Sequence, residues 1–122
     1  GKIIAVLGLT FKPETDDMRD SPSLSIIPPL LDKGAVIRAH DPQGVTEAQQ
    51  ELPNTVYYAD NIIEAVSGAD AVVLMTEWNE YRNLDLNELK NHMRGNAFID
   101  LRNIYERNVV EAVGFDYSAV GR

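Results

Sequence analysis

Aliphatic runs alternate with amphipathic stretches along the whole of this chain. Lys2 to Leu7 reads KIIAVL and Asp70 to Thr76 reads DAVVLMT. Short runs with no polar alternation suit strands buried on both faces, as in a parallel sheet. Further strands are expected at Ala35 to His40, Val56 to Tyr58, Ala97 to Leu101 and Phe115 to Ala119. Helical spacing fills the gaps, at about Pro22 to Lys33, Val45 to Leu52, Ile62 to Val66, Asp85 to Met93 and Arg107 to Val113. No hairpin signal joins one strand to the next. The alternation predicts an α/β fold: a doubly wound, Rossmann-like, mostly parallel sheet of about six strands in a single domain spanning the chain. DAVVLMT, the most apolar run, is expected near the centre of the sheet, and the 115–119 segment at an edge.

Local signals punctuate these elements. Ser21 stands as N-cap with Pro22 at the first helical position, and Gly34 as the residue that closes the helix. Pro28 and Pro29 should kink that helix or split it in two, since each lacks an N–H. Asp60 is the expected cap for the helix at Ile62, with Gly68 ending it. Asp85 and Glu88 have capping-box spacing. Gly114 closes the last helix.

The stretch Gly8-Leu-Thr-Phe-Lys-Pro-Glu-Thr-Asp-Asp-Met-Arg-Asp-Ser21 departs from the pattern. Strand-to-helix connections in α/β units usually need about two to six residues, and this one takes roughly twice that. It carries Lys12 and Arg19 beside an acidic group of Glu14, Asp16 and Asp17. Long loops at the C-terminal ends of parallel strands are where such folds place ligands. On the loop alone, a solvated acidic turn neutralised by its two cations is the simpler explanation. Right-handed crossovers, however, bring Lys12, Arg19, Trp78 and Arg102 to one rim of the sheet. Cations gathered on one rim of a chain of net charge −8 point to an anionic ligand. Trp78 there is a ligand-facing plate or a lid on the core, the lid being the commoner role.

Asp41-Pro42 follows the second strand, where dinucleotide-binding folds hold a ribose. The glycine fingerprint that should accompany it is missing, because no glycine lies between Gly8 and Gly34. Asp41 therefore reads as a turn-maker. His40 and His92 have no carboxylate spacing that suggests a metal set, so no metal is expected.

Composition narrows the classes further. Hydrophobic content of 44% and charged content of 25% are those of an ordinary globular domain. The negative balance argues against nucleic acid, and no run of about eighteen apolar residues suggests a membrane span. The 122 residues contain no cysteine, which removes disulfides, zinc–thiolate sites and a cysteine nucleophile from this chain and fits a cytoplasmic location. The first strand opens at Lys2 without a preceding cap or loop, as expected of a segment with more chain before it.

Taken together, GLTFKPETDDMRDSP, HDP at Asp41, TEW at Trp78, and IDLRNIY with GFDYSAVGR resemble the C-terminal, nucleotide-sugar-binding domain of the UDP-glucose/GDP-mannose dehydrogenase family. The resemblance covers essentially the whole chain, and the closing DLRN and GFDY…GR pieces favour the UDP-glucose 6-dehydrogenase branch. It implies a parent enzyme that oxidises C6 of UDP-glucose twice to UDP-glucuronate, using NAD and a cysteine thioester. The N-terminal half would carry that cysteine and a glycine-rich NAD site, and the full enzyme would be a homodimer or larger. This chain, without either part, is expected to be inactive alone. By the same resemblance Lys12 reaches the nucleotide-sugar, Phe11 offers backbone groups to it and Arg102 grips the UDP portion. Arg19 would extend to the NAD on the other domain. No catalytic residue is expected here.

Two rivals belong to other classes. A stand-alone nucleotide-sugar sensor would use the same rim without chemistry. A phospho-acceptor receiver domain would use Asp60 after the third strand and Thr76 at the end of the fourth. Receivers want a lysine after the fifth strand, where this chain has Arg102.

Overall fold

In the computed structural model, residues 1–10 and 21–119 are described. Six strands form one sheet: β1 (Ile3–Leu7), β2 (Val36–His40), β3 (Tyr57–Tyr58), β4 (Ala71–Leu74), β5 (Ala97–Asp100) and β6 (Asp116–Ala119). Every pairing is parallel, in the order β3-β2-β1-β4-β5-β6. This is the doubly wound order of dinucleotide-type folds, with β1 and β4 flanking the point where the winding reverses. A receiver domain instead places its third strand beside its first, so the strand order removes that rival. The DAVVLMT strand is central and β6 lies at an edge, as the hydrophobic pattern predicts.

The helices are α1 (Pro22–Asp32), α2 (Val45–Glu51), α3 (Ile62–Val66), α4 (Asn79–Arg82), α5 (Leu86–His92) and α6 (Arg107–Val113). Because successive strand side chains point to opposite faces, the sheet has two cores. On one face Ala5, Leu7, Val72, Leu74 and Phe98 pack with Tyr81, Leu89 and Val110 from α4, α5 and α6. On the other, Val6, Ile37, Ala39 and Val73 pack with Ile27 of α1 and Ala48 of α2.

Most of the punctuation is as expected. Ser21 caps α1 by accepting the Ser23 N–H at 3.2 Å. The helix ends in a Schellman arrangement, with the Gly34 N–H on the Leu31 carbonyl at 3.0 Å and the Ala35 N–H on that of Leu30 at 3.1 Å. Three expectations need correction. Of the two outcomes expected at Pro28 and Pro29, a kink or a split, the split does not occur: α1 is one helix through both prolines. Ile27, fully buried under the sheet, holds the middle of the helix in place, and packing of that kind outweighs two missing N–H groups. Asn61, not Asp60, caps α3, its side chain accepting the Glu64 N–H at 2.8 Å, while the exposed Asp60 donates its N–H to Glu64. Asp85 caps α5 through the Glu88 N–H at 3.1 Å, but the return half of the box is not formed among the described residues.

Candidate functional site

The strand registers set Leu7 opposite His40 and Leu74, and Leu74 opposite Asp100. Residues just beyond these four therefore share one edge of the sheet, and the quoted motifs meet there in pairs.

The first meeting is between HDP and the start of the long connection. Asp41 is buried, and its Oδ2 accepts the N–H of Leu9 at 2.7 Å and of Thr10 at 3.3 Å. Its Oδ1 accepts the N–H of Gln43 at 2.9 Å and of Gly44 at 2.6 Å. Asp41 makes the expected turn and also clamps the end of β1. With four backbone donors on its two oxygens, the carboxylate has no capacity left for a ribose. Beside it, Gly8 adopts φ +92°, and a Cβ at that position would fall 2.5 Å from the Thr76 Cβ. The gap a Rossmann glycine leaves for a pyrophosphate is filled here by Thr76, so these residues do not fit a dinucleotide in the Rossmann manner. The far end of the connection is secured too, by Ser21 and Ser23 hydroxyls that both donate to the Leu9 carbonyl.

The second meeting joins TEW, DLRN and GFDY. Arg102 and Glu77 form a two-pronged ion pair, Nε to Oε2 at 3.0 Å and Nη2 to Oε1 at 2.9 Å. Both side chains are partly open to solvent, at 28% and 25%. The pair holds the Glu77 carboxyl below its ordinary range and the guanidinium above its own. Beneath them Asp100, fully buried, accepts the N–H of Arg102 at 2.9 Å on Oδ1. Its Oδ2 accepts the N–H groups of Ile104 and Tyr105 and the Tyr117 hydroxyl, at 3.0, 3.2 and 2.8 Å. Between them Asn103 stands at φ 57°, a left-handed conformation that asparagine tolerates. A short loop that presents an arginine is thus fixed from below by one carboxylate.

Of the residues expected at the rim, Arg102 is there, part-exposed. Trp78 takes the lid role: it is 5% exposed and belongs to the core, with its indole N–H unpartnered. Phe11, Lys12, Arg19 and the acidic group at Glu14, Asp16 and Asp17 lie outside the described residues, as do positions 120–122. Glu77, Asp100 and Tyr117 build this edge, and the sequence reading does not single them out. Each sits inside a quoted motif, which is the available signal; the Glu77–Arg102 and Tyr117–Asp100 contacts span 25 and 17 positions and leave no local trace.

Comparison with known proteins agrees with this geometry. Residues 5–107 match the family model described as the UDP-glucose/GDP-mannose dehydrogenase family, UDP binding domain. The chain belongs to that family. It is 48% identical over its whole length to the UDP-glucose 6-dehydrogenase of Rhizobium meliloti (strain 1021), and 43% identical to that of Bacillus subtilis (strain 168). It spans 28% of the length of each of these relatives. Among solved structures, an NDP-N-acetyl-D-galactosaminuronic acid dehydrogenase from Methanosarcina mazei Go1 superposes with a TM-score of 0.86 at 33% identity. The match covers the whole chain and 25% of that protein. A UDP-glucose dehydrogenase from Pyrobaculum islandicum gives 0.70 at 33% identity, over 82% of this chain and 22% of its own. In this chain the clamped DLRN loop and its arginine form a well-defined polar feature at the C-terminal edge of the sheet.

Proposed function

We propose that this chain is the UDP-sugar-binding part of a UDP-glucose 6-dehydrogenase, and that Arg102 contacts the nucleotide. The observation that carries the reading is an arginine on a rigid loop at the C-terminal edge of a doubly wound sheet, in a domain family that binds UDP. A planar guanidinium with paired donors matches phosphate and ribose oxygens, and an edge held in place loses little freedom on binding. Lys12 and the backbone of Phe11 act on the same ligand. Arg19 reaches NAD held by the N-terminal half of the parent enzyme, a homodimer or larger assembly working in the cytoplasm.

NAD would supply the hydride acceptor for oxidation at C6. The chain described here contributes binding and orientation. It has no cysteine, so the thioester chemistry belongs to the remainder of the parent protein, and these 122 residues alone do not turn over.

Steady-state kinetics on the full-length protein test the assignment. Arg102→Ala should raise the KM for UDP-glucose about ten- to a hundredfold, the worth of a charge-assisted contact of roughly 1.5–3 kcal/mol. Lys12→Ala should act on the same substrate, and Arg19→Ala on the KM for NAD. The melting temperature of Arg102→Ala should move little, because that side chain is part-exposed at the sheet edge. A loss of stability with both KM values changing in parallel would instead mark the cations as structural.

A further inference from the structure

We propose that Glu77 is a positioning residue for Arg102, holding one edge of the guanidinium so that the other is presented to the nucleotide. The proposal rests on the reading of Arg102 as a nucleotide contact and names the group that makes that contact specific.

A guanidinium offers two bidentate edges, one formed by Nε and Nη2 and the other by Nη1 and Nη2. Glu77 occupies the first edge with both carboxylate oxygens. Among the described residues none takes Nη1, and the second edge is the one assigned to the nucleotide. It suits two oxygens of a phosphate or a ribose diol. Both members of the pair stand on fixed backbone. Arg102 donates its N–H to buried Asp100. Glu77 lies between Thr76, fully buried with its hydroxyl on the Thr10 carbonyl at 2.7 Å, and the buried Trp78. The carboxylate therefore does not follow the arginine about; it sets the plane of the guanidinium from an adjoining strand end.

Chemistry gives the proposal a definite sign. A carboxylate beside a diphosphate site repels the ligand, so a residue present only to balance charge should weaken binding. Removing it would then tighten UDP. A positioning residue has the opposite effect, because without it a long side chain must be immobilised at the moment of binding, a cost worth about two- to tenfold in Kd.

Calorimetric titration of UDP into the full-length protein separates the two, using wild type, Glu77→Gln, Arg102→Ala and the double variant. The expected result is a Kd raised about two- to tenfold by Glu77→Gln. In the Arg102→Ala background the same substitution should give no weakening, since Glu77 acts only through the arginine. Glu77→Asp, which keeps the charge but withdraws the carboxylate by one methylene, should also bind more weakly than wild type. UDP binding unchanged or tightened by Glu77→Gln would overturn the proposal, as would equal weakening in both backgrounds. An Arg102→Ala variant with unchanged Kd would overturn the nucleotide-contact reading itself and the proposal with it.

Discussion

Two buried carboxylates do much of the shaping at the C-terminal edge of the sheet. Asp41 and Asp100 each gather donors from separate segments, so each ties a turn to a strand end. A buried carboxylate is costly unless its oxygens are satisfied, and both of these are. His40 next door is a different case. It lies at 7% exposure, with Nδ1 2.8 Å from the Tyr81 hydroxyl, which itself donates to the His40 carbonyl at 2.9 Å. With the tyrosine proton committed to the carbonyl, the ring donates from Nδ1. Burial lowers its pKa from 6.5, against the opposing charges of Glu80 and Asp41. A base with a lowered native pKa leaves stability untouched well above 6.5. As pH falls below that value the unfolded chain takes up the proton first, and stability is lost. Glu77 and Asp70, held low by Arg102 and Arg94, act further down; their contribution is full above the ordinary carboxylate range and fades as pH falls through their lowered native values. Urea unfolding at about pH 7.5 and about pH 5.5 should therefore show a larger loss for wild type than for His40→Gln. Equal losses would show that His40 is not the group responsible.

At the scale of elements, the turns between strands and helices separate cost by conformation from cost by contact. Gly8 and Gly34 both have positive φ, at 92° and 89°. A Cβ on Gly34 would meet nothing within 4 Å, whereas one on Gly8 would strike the Thr76 side chain and backbone at 2.5 to 2.7 Å. Gly34→Ala should cost about 1 kcal/mol, the left-handed penalty alone. Gly8→Ala adds a clash between the two central strand ends and should cost about 2–4 kcal/mol. Chemical denaturation of both variants checks the ranking; similar losses would mean that the β1–β4 crossing yields more readily than its packing suggests. Elements of this kind were legible in the sequence wherever the signal was local. Ser21, Pro22, Gly34, Gly68 and Gly114 all mark ends where they are found, and the aliphatic strands are parallel and buried. The reading went astray where a neighbour competes, as at Asn61, which lies one residue closer to the helix than Asp60. At Pro28 and Pro29 only the two-piece alternative fails, where burial of Ile27 keeps the helix in one piece. The site was legible only as a list of charges. That Glu77 would meet Arg102, or Asp41 the N–H of Leu9, depends on strand order, which no local pattern encodes.

At the scale of the whole molecule, a chain of net charge −8 is assigned an anionic ligand. The two are compatible because the attraction is local: one clamped arginine, with Lys12 assigned to the same ligand, acts within a Debye length of about 8 Å while remote carboxylates are screened. The doubly wound sheet contributes by bringing the ends of β1, β4 and β5 together at the reversal of winding, where ligands of such folds bind. An opening on that edge is lined by His40, Asp41, Tyr58, Asp60 and Glu80, and its acidic rim is poorly suited to a diphosphate. A structure of the full-length protein bound to UDP is the most direct measurement. The nucleotide should lie beyond β4 and β5, with its oxygens on the Nη1–Nη2 edge of Arg102 at hydrogen-bonding distance, about 2.7–3.2 Å. UDP seated in the opening beside His40 and Tyr58, or anywhere that leaves Arg102 untouched, would contradict the assignment.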